Sequence, residues 1–432
     1  MKSLISLVVL VVVGGVAFGL GRLTSAPPQF TPVEAESADA LAAAYDEFIR
    51  SQQETVALLR ASPFFDDDQA RAEAYRSVLY ATVGSIKAGA LQSHDFPRFS
   101  RAVDWTSKAG LDNPDNNYYI ALIDDDAEYR ISGKRGTTAN LIFQLVIGQP
   151  AVRGAGSSTN VSVLYDRDMV FDEAGNYEVV VSRQDPGPGV NWLPNGEGAQ
   201  TILLRFTYND WAGESHRAPY IEKIGREGAH APRLSSDAMA FGLREAAVSL
   251  YDRTATWLDF STKAWTLRGG NSITEARPSR GGLVGQYSAF GNWELEDDEA
   301  LILSTSRSAA DYQGIELGNL WFVSLDYETR TSTLNLSQMH CGADERCHAV
   351  ISHRDPGVQN WLDTEGHRRG LIMMRWQGLP APLAEQMQPE ARVVPFARLR
   401  DELPADIPAF SSEERREQID ARRRAVHQRF GG

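Results

Sequence analysis

Two turns written in nearly the same letters hold the residues best suited to chemistry. The segment SRQDPGPGVNWL runs from Ser182 to Leu193, and SHRDPGVQNWL runs from Ser352 to Leu362. An indole plane beside an Asp and an Asn could stack on the apolar face of a glycan or another amphipathic small molecule while the polar groups bind its hydroxyls. Asp185, Asn191, Trp192 and Arg205 are therefore candidate ligand-binding residues, as are Asp355, Asn360, Trp361 and Arg375 in the second copy. His353, two residues before Asp355, is a candidate general base. Asp185, His353 and Asp355 are thus the weak catalytic candidates of a hydrolase, since carboxylate-pair enzymes carry no short signature. A structural reading of the same letters is the commoner one. Asp-Pro-Gly makes a turn, the Trp rings plug the ends of β-sandwiches, and the Asn side chains satisfy loop carbonyls.

The elements that must position these residues also come in pairs. Ile202 to Phe206 (ILLRF) answers Ile372 to Trp376 (IMMRW), and Asn140 in NLIFQLV is aligned with Asn319 in NLWFVSL. Matches kept in order mark a duplicated unit rather than chance. Short strands with closely spaced turn signals make each unit an antiparallel β-sandwich of jelly-roll type. The fold class expected is α+β: two such units with flanking and connecting helices, plus an N-terminal transmembrane helix. The boundaries are a signal anchor or signal peptide at 1–26, a linker at 27–37 and a helical region at 38–112. The first β unit follows at 113–212, connecting helices at 233–270, the second β unit at 283–378, and a C-terminal extension with a helix at 379–432. Leu41, Ala44, Tyr45, Phe48 and Ile49 fall on one helical face, as do Tyr75, Leu79 and Val83.

Charge and compartment narrow the function. The 432 residues carry 43 basic and 57 acidic side chains, a net −14 that argues against nucleic acid as a partner. Lys2 precedes an uncharged run from Leu4 to Gly21 that is just long enough to span a bilayer. The expected location is the bacterial inner membrane, single-pass, with the main body in the periplasm, or free in the periplasm if the segment is cleaved. Cys341 and Cys347, the only two cysteines, sit in HCGADERCH and are expected to form a disulfide in that oxidising compartment. A zinc site with His340 and His348 is disfavoured, because neighbouring strand residues point to opposite faces. The acidic tips Asp124–Asp126 and Asp297–Glu299 lack calcium-loop spacing. No metal and no cofactor is assigned, and GxSxG, HExxH and phosphate-loop motifs are absent.

DPGPGVNWLPNGEG with the following ILLRF, and GLDNPDNNYYIALIDDDAEYRISGKRG from Gly110, resemble the bacterial family called domain of unknown function 1214. Asn191, Trp192, Leu193 and Pro194 match its turn directly; Asn360, Trp361 and Leu362 match without the Pro. The resemblance implies a β-rich fold and a bacterial source, and carries over no activity. The expected function is binding or assembly at the cell envelope, with a cleft near the Asn-Trp-Leu turns.

Overall fold

The computed structural model describes residues 26–32, 39–152, 159–279 and 282–430. The apolar run at Leu4–Gly21 and linker residues 33–37 lie outside these residues. Among the described residues, no helix is long and apolar enough to cross a membrane.

The chain opens with α1 (Ala40–Arg60) and α2 (Asp68–Ser85), capped by the side chains of Asp39 and Asp67. A turn of π-helix, Ile86–Ala90, extends α2. Their buried faces are Ala44 and Phe48 in α1 and Ala74 and Val78 in α2, while Tyr45, Ile49, Tyr75 and Leu79 are exposed. The apolar periodicity therefore located the helices but turned their faces by about one residue, because small residues form the contact.

The first β unit comprises β1 (Ser100–Val103), β2 (Asn116–Leu122), β3 (Tyr129–Lys134), β4 (Asn140–Ile147), β5 (Thr159–Tyr165), β6 (Asn176–Ser182), β7 (Asn191–Pro194), β8 (Ala199–Thr207) and β9 (Tyr220–Lys223). They form two sheets, ordered β1-β2-β8-β4-β5 and β7-β6-β3-β9. The helix α3 (Ser236–Arg268) follows, 33 residues and so about 50 Å long. The second unit has β10 (Ser272–Ile273), β11 (Arg277–Pro278), β12 (Gln286–Glu294), β13 (Glu299–Ser306), β14 (Tyr312–Gly318), β15 (Thr333–Asn335), β16 (Arg346–Ser352), β17 (Trp361–Asp363), β18 (Arg369–Gln377) and β19 (Glu390–Pro395). Its sheets run β10-β12-β18-β14-β15, with β11 beside β12, and β17-β16-β13-β19. Strands β2 to β9 thus recur as β12 to β19 with the same neighbours. The duplication is real at the level of topology.

Three details differ from the sequence reading. Strand pairing is not wholly antiparallel: β6 pairs β7, and β16 pairs β17, in parallel. The Asp-Pro-Gly segment is therefore a return loop that carries the chain back to start a parallel neighbour in the same sheet. The alignment of Asn140 with Asn319 also fails. Asn140 sits opposite Thr207, whereas the residue opposite Gln377 is Tyr312, and Asn319 lies past the end of β14. Register decides this, since the matching letters of the two segments occupy different steps of the ladder. Finally, the helical region at 38–112 includes β1, and the sandwiches reach beyond 212 and 378 to take in β9 and β19.

Each unit buries an apolar core between its two sheets, with Phe143, Leu204 and Phe206 in the first and Trp293, Met374 and Trp376 in the second. The C-terminal extension breaks the symmetry. Leu399 of α4 (Leu399–Glu402), Leu403 and Ile407 cover the outer face of the second unit's smaller sheet over Ile302, Val350 and Val394. The last helix, α5 (Ser412–Phe430), then crosses to the first unit, where Ala425 and Val426 join its core.

Cys341 and Cys347 form a disulfide across the tight turn before β16. Its closed loop is short, so replacing both cysteines by serine should cost only about 2 kcal/mol in chemical denaturation. A loss above about 4 kcal/mol would show that the bridge does more than restrict the unfolded chain.

Candidate functional site

A large hollow lies between the two β units, away from the repeated turns. Alternation puts Ile202, Leu204 and Phe206 of β8 into the first sandwich, so Thr201, Leu203 and Arg205 must face the other way. On β18 the same alternation turns Met373 and Arg375 outward. These outward faces, with β2, β12 and α3, enclose a cavity of about 930 Å³. That volume falls within the range of small-molecule sites, about 300–1,000 Å³. Equivalent positions of the two units meet beside it: Thr207 Oγ1 donates to Gln377 Oε1 at 3.0 Å.

The walls are largely apolar, with Ile120, Leu122, Leu203, Phe290, Phe322 and Met373 among them. Along α3, Arg253, Trp257, Phe260 and Arg268 point one stripe at the same space. Trp257 stacks on Phe322, with ring centroids 5.2 Å apart.

Charge in the cavity is unevenly matched. Lys87 meets Asp104 at 2.6 Å, and Arg277 meets Glu275 at 3.1 Å. Arg375 pairs with Glu316 and also donates to the Leu111 carbonyl. Burial opposes the charge on Arg375, and the Glu316 carboxylate offsets this and holds the guanidinium above its ordinary value. Arg205 is 8 % exposed, and it donates to the neutral Gln144. Burial lowers its pKa, and the neighbouring Arg375 adds to that effect. Burial takes Arg253 down to about 10 and lowers Arg268 as well. Arg253 Nε and Arg268 Nη1 have no hydrogen-bond partner among the described residues.

The repeated turns are organised differently. Asn191 Nδ2 donates to the carbonyls of Val170 (2.9 Å) and Glu178 (2.8 Å), and its Oδ1 accepts from the Val170 amide. Asn360 repeats this set with the His340 carbonyl (2.6 Å), the His348 carbonyl (3.1 Å) and the His340 amide. Trp192 and Trp361 donate to the carbonyls of Ser182 and Ser352 at 3.1 and 3.2 Å. Asp185 and Asp355 accept from the amides of Gly187 and Gly357, and Asp355 also pairs with Arg415 at 2.9 Å. His353 is held between Thr364 Oγ1 (2.8 Å) and the Leu295 carbonyl (3.2 Å). The polar atoms of both turns are therefore occupied by neighbouring protein groups.

Of the residues singled out in the sequence, only Arg205 and Arg375 line the large cavity. They were grouped with the turns because they follow them closely in the chain, but strand alternation separates the two places. Gln144, Glu316, Arg253, Trp257 and Arg268 were missed. Arg253 stands beside Asp252 in α3 and carried no local signal, and the partners of the two strand arginines needed the register.

No family model matches the chain, and no curated protein matches it. Among solved structures, an uncharacterized protein from Burkholderia cenocepacia is 27% identical, with a TM-score of 0.77 over 83% of this chain and 99% of that one. The VPA0106 protein from Vibrio parahaemolyticus is 10% identical, with a TM-score of 0.42 over 82% of this chain and 100% of that one, too low a score to carry an argument. The Burkholderia protein shares this architecture across nearly its whole length, and its description states no activity.

Proposed function

We propose that this is a bacterial cell-envelope protein that binds an amphipathic small molecule in the cavity between its two β units. Export by the N-terminal segment, with the body in the periplasm, and kinship to the domain of unknown function 1214 family belong to the same proposal. The observation that carries it is the cavity itself. Two well-packed sandwiches leave about 930 Å³ unfilled between apolar walls, where protein interiors are otherwise close-packed. A void of that size lacks the dispersion contacts a filled core would have, and an apolar occupant would restore them.

The test is to fill the space. Leu203→Trp and Met373→Trp each place an indole in the cavity from opposite walls. Each should weaken binding of an alkyl-naphthalene fluorophore at least about tenfold, with the melting temperature moved by only a few degrees. Unchanged fluorophore binding in both variants would sink the proposal.

A further inference from the structure

Resting on the cavity reading above, we infer that the ligand is an aliphatic amphiphile with a compact anionic head, carboxylate or phosphate, and that Arg205 receives this head. The two units supply an internal comparison. Arg205 and Arg375 occupy equivalent steps of β8 and β18, and Gln144 and Glu316 occupy equivalent steps of β4 and β14. Each arginine reaches the equivalent partner in its own unit. In the second unit that partner is an acid: burial pushes the Glu316 carboxyl up and the Arg375 guanidinium pulls it back down, and contact with the guanidinium favours the ion pair. In the first it is an amide, so one negative charge is missing at the same place.

A guanidinium stays protonated in a protein, and a buried charge without a counter-charge is costly. Among the described residues no carboxylate pairs with Arg205, and the same holds for Arg253 and Arg268 on the α3 wall. Two acids also line the cavity, Glu275 paired with Arg277 and Asp112 accepting from Ser324, and neither pairs with these arginines. The cavity of a protein with a net charge of −14 thus holds unmatched positive charge among apolar side chains. An alkyl chain suits the walls, and an acidic head suits the arginine. A planar guanidinium binds carboxylate or phosphate through paired hydrogen bonds.

The experiment compares dodecanoate with dodecanol, two probes of equal chain length, below their aggregation concentrations and at a pH where the acid is ionised. Full-length protein is used throughout, so the N-terminal apolar segment contributes the same background in every case. The readout is the ratio of the two affinities. Wild type should favour dodecanoate at least about tenfold, the factor expected of a charge-assisted hydrogen bond. Gln144→Glu supplies the missing carboxylate from within and should bring the ratio close to one, as should Arg205→Met. Dodecyl phosphate in place of dodecanoate decides which acid the site prefers, and either preference over dodecanol supports the inference. Equal binding of acid and alcohol by wild type would overturn it while leaving the cavity reading intact, and so would a preference for dodecyltrimethylammonium. Failure of every probe to bind would overturn the cavity reading, and this inference with it.

Discussion

Asp115→Ala is expected to destabilise the protein by about 3–5 kcal/mol, the cost of removing one member of a buried charged network. Asp115 is fully buried between the two units. Its carboxylate accepts from Trp211 Nε1 (2.6 Å) in the first unit, and from Tyr312 Oη (2.7 Å) and Asn335 Nδ2 (2.8 Å) in the second. Truncation would leave three buried donors facing a void, each costing about 1–3 kcal/mol if it stays unpaired. It would also remove the acid that supports two arginines of α5. Burial takes Arg422 down to about 10 and lowers Arg429, and Asp115 acts in the opposite direction on both. Asp115→Asn keeps the shape but loses the charge and one acceptor, so its cost should be smaller. Urea unfolding followed by Trp fluorescence measures both variants. A loss below about 1 kcal/mol for the alanine variant would show that the two units hold together without this residue.

Trp361→Ala should also cost about 3–5 kcal/mol, whereas Trp192→Ala should cost no more than about 2 kcal/mol. The two rings hold equivalent places in β17 and β7 and make the same backbone hydrogen bond. Their cover differs. Trp361 is 7 % exposed, beneath the C-terminal extension, with the Arg415 guanidinium 5.1 Å from its ring. Trp192 is only half-buried, since among the described residues no such extension lies over the first unit's smaller sheet. Deleting the covered ring forfeits both its transfer energy and the packing around it, and deleting the other forfeits less. Thermal melts of the two variants check this, and equal losses would mean that the cover does not set the difference.

The sequence by itself determined the repeated unit, the β-rich class, the helices and the disulfide. Each is a local or periodic property: Asp-Pro-Gly and Asn-Trp-Leu recur as letters, α3 repeats its apolar residues at helical spacing, and Cys341 and Cys347 lie within one turn. Strand alternation in ILLRF and IMMRW sets Arg205 and Arg375 on the face opposite the apolar core residues, although the sequence grouped them with the turns. Where they point was not legible. That depends on which sheet faces of two separate units oppose each other and on where α3 lies across them. The partners of the arginines depend on the register of β4 against β8 and of β14 against β18, which a shift of one residue would reverse. The misplaced equivalence of Asn140 and Asn319 shows the same limit, because similar letters do not state which ladder step they occupy. The cavity, the missing carboxylate beside Arg205 and the burial of Asp115 between the units were therefore decided by tertiary structure alone, because each is a relation between surfaces that the chain brings together only when both units have folded.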